Sequence, residues 1–219
     1  MVSTKWLKGN RKKITKVIET QNCWFPRTQI NTVYDLEAAA ELIVVVRALD
    51  DLTERQQLLL YLREDDSFPR FGASIAQVEV LRVIKKPSTF VLPSSKTLPI
   101  SEPVYVFTHP EAGPDGLVLR RMAENYRELK KGKTYLLFLG VEPKDDVTRN
   151  AGLLYGVVAP SLAKYNLDGG DPQDDVELEE AYRLRDKLPM AQRRQWQPPA
   201  TKKQQWKATI LKRYADHLR

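Results

Sequence analysis

The sequence has one cysteine, Cys23, in 219 residues. That excludes an internal disulfide framework and a cysteine-only metal site. His109 and His217 are the only histidines, too few for a histidine-built zinc site or a histidine-based triad. Purely apolar runs such as Leu42 to Val46 fall far short of the roughly 18–20 residues that cross a bilayer. The glycines form no phosphate-cradling loop, and neither Ser101 nor Ser161 sits in a nucleophile-elbow glycine frame. The cations Lys5, Lys8, Arg11, Lys12 and Lys13 begin like a secretory signal, but Ile14 to Thr20 is too polar for its apolar core. The expectation is a cytoplasmic chain if the sequence is complete, and an extracytoplasmic, membrane-anchored one if an anchor is missing upstream.

What is present is enough for a core. Hydrophobic residues make up 42% and charged residues 29%, the composition of a globular domain with appendages. The charge is unevenly placed. Residues 1–19 carry 6 basic and 1 acidic residue, and residues 189–219 carry 8 basic and 1 acidic. The remaining 21 basic and 26 acidic residues give the centre, 20–188, a net charge of −5. Basic ends on a mildly acidic body point to tails that touch polyanions, lipid headgroups or the body itself.

The chain divides into a basic lead-in (1–31), a β-rich domain (32–168) and a basic helical extension (169–219). The lead-in shows no clean period and reads as irregular or partly helical. Thr32 caps a short helix with Asp35 in its first turn. The three adjacent valines of Glu41 to Ala48 predict a strand, apolar on both faces and therefore central. Leu49 to Asp66 fits either a short helix with a hairpin edge or a long loop. Gly72 to Lys86 is a clear strand, and Pro93 to Pro103 reads as a loop. Val104 to Phe107 is a short edge strand between prolines, and Glu111 to Gly116 is a turn. Leu119, Met122, Tyr126 and Leu129 space Leu117 to Lys131 as a partly exposed helix, with an irregular segment as the alternative. Thr134 to Val141 and Leu153 to Val158 are buried strands, with a bulge or bend at Gly156, and Lys164 to Leu167 is a last one. A helix opens at Asp171 and stops at Pro189. A second opens at Thr201, with Gln204 completing a capping box, and places Trp206, Ile210, Tyr214 and Leu218 on one stripe.

Five segments carry a resemblance: Ala39 to Val46, Val78 to Lys85, Ile100 to Pro103, Tyr126 to Leu139 and Leu154 to Asn166. Their order resembles an uncharacterised, mainly Gram-positive bacterial domain similar to the netrin/tissue-inhibitor-of-metalloproteinase-like OB-fold, over about residues 36–167. The stretch Leu129-Lys130-Lys131-Gly132-Lys133-Thr134-Tyr135-Leu136-Leu137-Phe138-Leu139 is its most specific part. The resemblance implies a five-stranded, partly closed Greek-key barrel; with the helices read from the residues, the expected fold is mainly β, an OB-like five-stranded Greek-key barrel with a short N-terminal helix and a C-terminal helical extension. Such relatives usually sit outside the cytoplasm behind a signal or anchor. The chain lacks the N-terminal cysteine framework of the animal inhibitors, so protease inhibition by that mechanism does not transfer.

No constellation of residues predicts an enzyme, a metal or a cofactor. The acidic pairs Asp50-Asp51, Asp145-Asp146 and Asp174-Asp175, and the run Glu64-Asp65-Asp66, read as solvated turns and helix starts. Asp115 with Glu142-Pro143-Lys144 copies a nuclease spacing, but Pro143 interrupts the strand and Asp115 lies in a turn. His109 reads as a surface residue, and Cys23 beside Trp24 as a small buried hydrophobe. The candidate site is the tail, where Arg193, Arg194, Trp196, Lys202, Lys203, Trp206 and Lys207 interleave cations with indoles. Such a surface contacts an unidentified protein partner, nucleic acid or an anionic membrane. Alternatively, its apolar stripe packs on the barrel. The reading is a non-enzymatic binding module, with a nucleic-acid-binding OB protein and a membrane-surface protein as alternatives.

Overall fold

The structure, a computed structural model, describes residues 3–7, 14–19, 30–61, 68–108, 116–121, 126–142, 155–160, 162–170, 183–193 and 201–218. Its strands are β1 (Ser3–Leu7), β2 (Ile14–Glu19), β3 (Leu42–Ala48), β4 (Gln56–Tyr61), β5 (Phe71–Lys85), β6 (Thr97–Glu102), β7 (Val104–Phe107), β8 (Leu117–Arg121), β9 (Thr134–Val141), β10 (Tyr155–Val157) and β11 (Lys164–Asn166). Two helices of more than four residues accompany them among the described residues, α1 (Val33–Ala39) and α2 (Lys202–Arg213).

Helix α1 starts where its sequence provides a cap. Thr32 Oγ1 accepts from the Asp35 amide at 3.1 Å. Asp35 Oδ2 accepts in return from the amides of Asn31 (3.0 Å) and Thr32 (2.9 Å). The Asn31 amide and then Thr32 hold the Asp35 carboxyl below its usual range. Val33 and Leu36 turn inward, and Ala40 lets the chain enter β3 at close range.

The valine run of β3 lies between β5 and β9, antiparallel to both. Every residue of β3 is buried except Arg47, which is why the strand is apolar on both faces. From β3 the ring continues through β5, β6, β10 and β9 back to β3. In chain order these five strands connect 1-2-3-5-4-1, and the third and fifth, β6 and β10, run parallel. This is a closed OB-like barrel. Valines of β3 and β5, Ile100 of β6 and leucines of β9 fill it. β5 serves as the corner, pairing β4 and β6 through its first half and β3 through its second.

Beyond the barrel, β4 and β1 extend the same sheet past β5. A second sheet of order β2-β8-β7 packs over that extension. The two enclose a smaller core of Leu59, Tyr61, Tyr105, Phe107 and Val118. Gly72 is required there, because a Cβ would stand 2.7 Å from Tyr105 Cδ1 and 2.9 Å from the Leu58 carbonyl oxygen.

Several expectations need correction. The lead-in holds two strands, β1 and β2, not an irregular or partly helical stretch. Thr97–Glu102 inside the expected loop is β6: Pro99 lies opposite Gln77 of β5, and the pairing with β10 starts only at Ile100, so the missing N–H meets no ladder. The expected helix at 117–131 begins as β8, because Leu117, Val118 and Leu119 are all buried between β2 and β7. Leu49 to Tyr61 resolves into a 3-10 turn, Leu52–Glu54, followed by β4. Gly156 forms no bulge; it sits in register between Ser101 and Gly140, where a Cβ would run into the Glu142 side chain. The turn at 111–115 and most of the helix from Asp171 lie outside the described residues; residues 183–186 are helical.

Candidate functional site

Where β6 ends, a carboxylate goes inward. Glu102 has 0% exposure and gathers groups from three other parts of the chain. Its Oε1 accepts from the Tyr126 hydroxyl and from the Leu129 amide at 3.0 Å, and Lys164 Nζ lies 3.5 Å away. Its Oε2 accepts from Arg55 Nη1. Arg55, just ahead of β4, also donates Nε to Asp50 Oδ1 at 2.7 Å and Nη2 to the Leu129 carbonyl at 2.6 Å. Asp50 Oδ2 takes the Gln77 amide at 3.0 Å. Lys164 donates to the Arg127 carbonyl and rests 4.2 Å from the Tyr126 ring centroid.

Two cations and two carboxylates thus balance in a dry region. Burial pushes the Asp50 carboxyl up against the pull of Arg55. Burial alone would lower Arg55; the carboxylates of Glu102 and Asp50 outweigh it and hold the guanidinium higher than usual. Burial, reinforced by the Glu102 carboxylate, places the Tyr126 hydroxyl well above its ordinary range. A buried ion set is tolerated only when its hydrogen bonds are satisfied. Here it clamps the irregular segment 126–130, which connects the second sheet to β9, onto the end of the barrel. Arg55, Glu102 and Lys164 are enclosed at 0–2% exposure.

Helix α2 lies against the barrel. Thr201 Oγ1 accepts from the Gln204 amide at 3.0 Å, and Gln204 Oε1 accepts from the Thr201 amide at 3.1 Å, which sets its start. Ile210 is fully buried in the main core, and Trp206, Tyr214 and Leu218 pack against it. Polar contacts pin both ends. Lys203, 1% exposed, donates to the Lys164 carbonyl, with its ammonium 4.5 Å from the Tyr165 ring centroid. Lys207 Nζ donates to the Gly169 carbonyl at 2.6 Å. At the far end, Glu37 Oε1 of α1 accepts from the Tyr214 hydroxyl and pairs with Arg213 Nε, each at 2.7 Å. Burial and then that carboxylate raise the Tyr214 hydroxyl. Arg213 also lies over the Tyr34 ring, 4.7 Å from its centroid.

The tail residues singled out from sequence therefore divide. Lys202, Lys203, Trp206 and Lys207 share α2. Lys202 is exposed, with its ammonium 4.8 Å from the Trp206 ring centroid, whereas Lys203 is enclosed and Trp206 is half-buried. Arg193 belongs to a separate turn, Met190–Arg193, and donates Nε to the Leu188 carbonyl at 2.7 Å. Arg194 and Trp196 lie outside the described residues, as do Cys23, His109, Asp115, Ser161 and the acidic stretches 64–66, 145–146 and 174–175.

Asp50, expected on a solvated turn, joins the ion network, and Asp51 Oδ1 accepts from the Lys131 amide at 3.2 Å. Among the described residues, no group of three histidine, cysteine or carboxylate side chains is placed to hold a metal ion. No helix among them is long and apolar enough to cross a membrane. Sequence reasoning missed Arg55, Glu102, Tyr126 and Lys164. The available signal was the charge set among apolar neighbours at Ile100-Ser101-Glu102 and Ala163-Lys164-Tyr165. Compared with known protein families, curated proteins and solved structures, the chain matches none of them.

Proposed function

We propose that this protein is a non-enzymatic interaction module, an OB-like barrel that carries its basic C-terminal helix as a fixed part of its surface and offers that surface to an acidic protein partner. The observation that carries the reading is the docking of α2 through Ile210 and Lys203. With those residues inward, Lys202, Gln205 and Lys212 face outward on a docked element. A preorganised cationic face gains specificity and association rate without the entropy cost of ordering a free tail.

Two features favour a discrete acidic patch over a long polyanion or a bilayer. The net charge of −5 on residues 20–188 repels an extended nucleic acid around the body. Tyr105, Phe107, Tyr135, Phe138 and Tyr155 are buried, and Trp206 packs inward, which withdraws them from stacking on bases. The stripe that a bilayer would need, Trp206, Ile210, Tyr214 and Leu218, is seated on the barrel.

The test is binding of the full chain to an oligoglutamate peptide, beside single-stranded DNA and anionic vesicles. Replacing Lys202 and Lys212 together by glutamate lowers peptide affinity about tenfold, since rim charges contribute several tenths of a kcal/mol each and reversal doubles the effect. Lys133→Glu, an exposed charge outside α2, serves as the control. Equal peptide affinity in the double variant and wild type, or tighter binding of DNA or vesicles than of peptide, overturns the reading.

A further inference from the structure

Two lysines link the docked helix to the segment that closes the barrel. Lys203 of α2 donates to the Lys164 carbonyl, and Lys164 passes its own ammonium to the Arg127 carbonyl. Lys164 also lies 3.5 Å from Glu102 Oε1. Glu102 holds the Leu129 amide, and Arg55 holds the Leu129 carbonyl. All four charged side chains are 0–2% exposed.

The strength of such contacts depends on keeping water out. An ammonium in a dry site binds a carbonyl or carboxylate far more tightly than one in contact with solvent. Helix α2 reaches this set through the backbone of β11, because Lys203 lies on the Tyr165 ring and holds the Lys164 carbonyl. Lifting α2 frees the Lys164 carbonyl, loosens the β11 backbone that aims the Lys164 ammonium, and so weakens its hold on Arg127 and Glu102. Residues 126–130 then lose part of their clamp. By reciprocity, loosening that clamp weakens the seat of α2.

We infer that docking of α2 and ordering of residues 126–130 are thermodynamically coupled through Lys203 and Lys164, so that a partner drawing on the helix alters the closed end of the barrel. The bistable element is α2, seated or lifted. The coupling does not depend on which partner the outer cations take.

Amide hydrogen exchange on the full chain, read residue by residue, tests it. Ile210→Ala weakens the seat of α2 without removing a member of the network, and Lys203→Met removes one rung while keeping the stem. In both variants the Leu129 amide exchanges about tenfold faster than in wild type, the size expected for weakening one charge-assisted hydrogen bond. In Glu102→Gln the amides of 206–211 speed up in return. The Val118 amide in the second sheet is the internal reference. Ile210→Ala carries the test should Lys203→Met fail to fold. Two results overturn the coupling. One is wild-type exchange at Leu129 in a variant whose α2 amides have accelerated. The other is equal acceleration at Leu129 and Val118, which marks a general loss of stability. The charge-reversed pair at Lys202 and Lys212 leaves Leu129 unchanged, so failure of the partner reading is told apart from failure of the coupling.

Discussion

Glu102→Gln isolates the charge of the buried carboxylate while nearly preserving its shape. In the native protein that carboxylate accepts from Tyr126, Leu129 and Arg55 and neutralises Lys164. The amide keeps one acceptor oxygen but sets an NH2 group against donors. It also leaves Arg55 with Asp50 as its paired carboxylate and takes the negative charge away from beside Lys164. Removing one partner of a buried pair costs about 3–5 kcal/mol, because the remaining charge stays desolvated without compensation. That is a large part of the roughly 5–15 kcal/mol that holds a domain folded. At about 2–4 °C per kcal/mol for a chain of this size, the melting temperature falls by about 6–20 °C. Urea unfolding followed by tryptophan fluorescence and circular dichroism reads the loss as a lower midpoint with an unchanged slope. A change below about 1 kcal/mol in Glu102→Gln would refute the claim that this charge holds Arg55 and the 126–130 segment in place.

Two further outcomes follow from other parts of the fold. Gly72→Ala drives a methyl into Tyr105 and the Leu58 carbonyl and costs about 1–3 kcal/mol. Gly170→Ala, whose Cβ meets nothing within 4 Å, is the thermal-melt comparison, and equal melting temperatures for the two would contradict the packing around Tyr105. Burial pushes the Tyr105 hydroxyl up to about 12, against Arg120. The unfolded chain therefore gives up that proton first, near its ordinary value of about 10, and stability falls by about 3 kcal/mol as pH rises from there through the folded value. Urea midpoints measured against pH show a shallower alkaline decline in Tyr105→Phe than in wild type; identical declines would sink the assignment.

Local chemistry was readable, and distant pairing was not. Three adjacent valines announced the central strand, and the Thr32/Asp35 and Thr201/Gln204 pairs placed both helix starts to the residue. The stripe at Trp206, Ile210 and Tyr214 was visible as a stripe; that the barrel itself covers it was one of several readings. Leu119, Tyr126 and Leu129 fall at helix-like spacings, yet a strand buries the first and an irregular segment the other two. Arg55 and Glu102 stand 47 positions apart, and Arg55 and Leu129 stand 74 apart. No window of neighbouring residues reveals such a meeting, and each charge taken singly looks like ordinary surface. Lys203 was misplaced for the same reason: its helical position is legible, whereas the carbonyl and ring that receive it come from β11.

The ring of strands is sealed by one parallel seam, Tyr155 beside Ile100 and Gly156 beside Ser101. Those partners are made far apart in time on the ribosome. Until the residues near 157 have emerged, β6 keeps one flank unpaired and the sheet stays an open ribbon. The helix that covers the wall comes later still, since α2 begins at Lys202. Birth order thus leaves the nascent chain with an adhesive border until β10 emerges, and the stretch from β10 to α2 acts as a late-arriving closure.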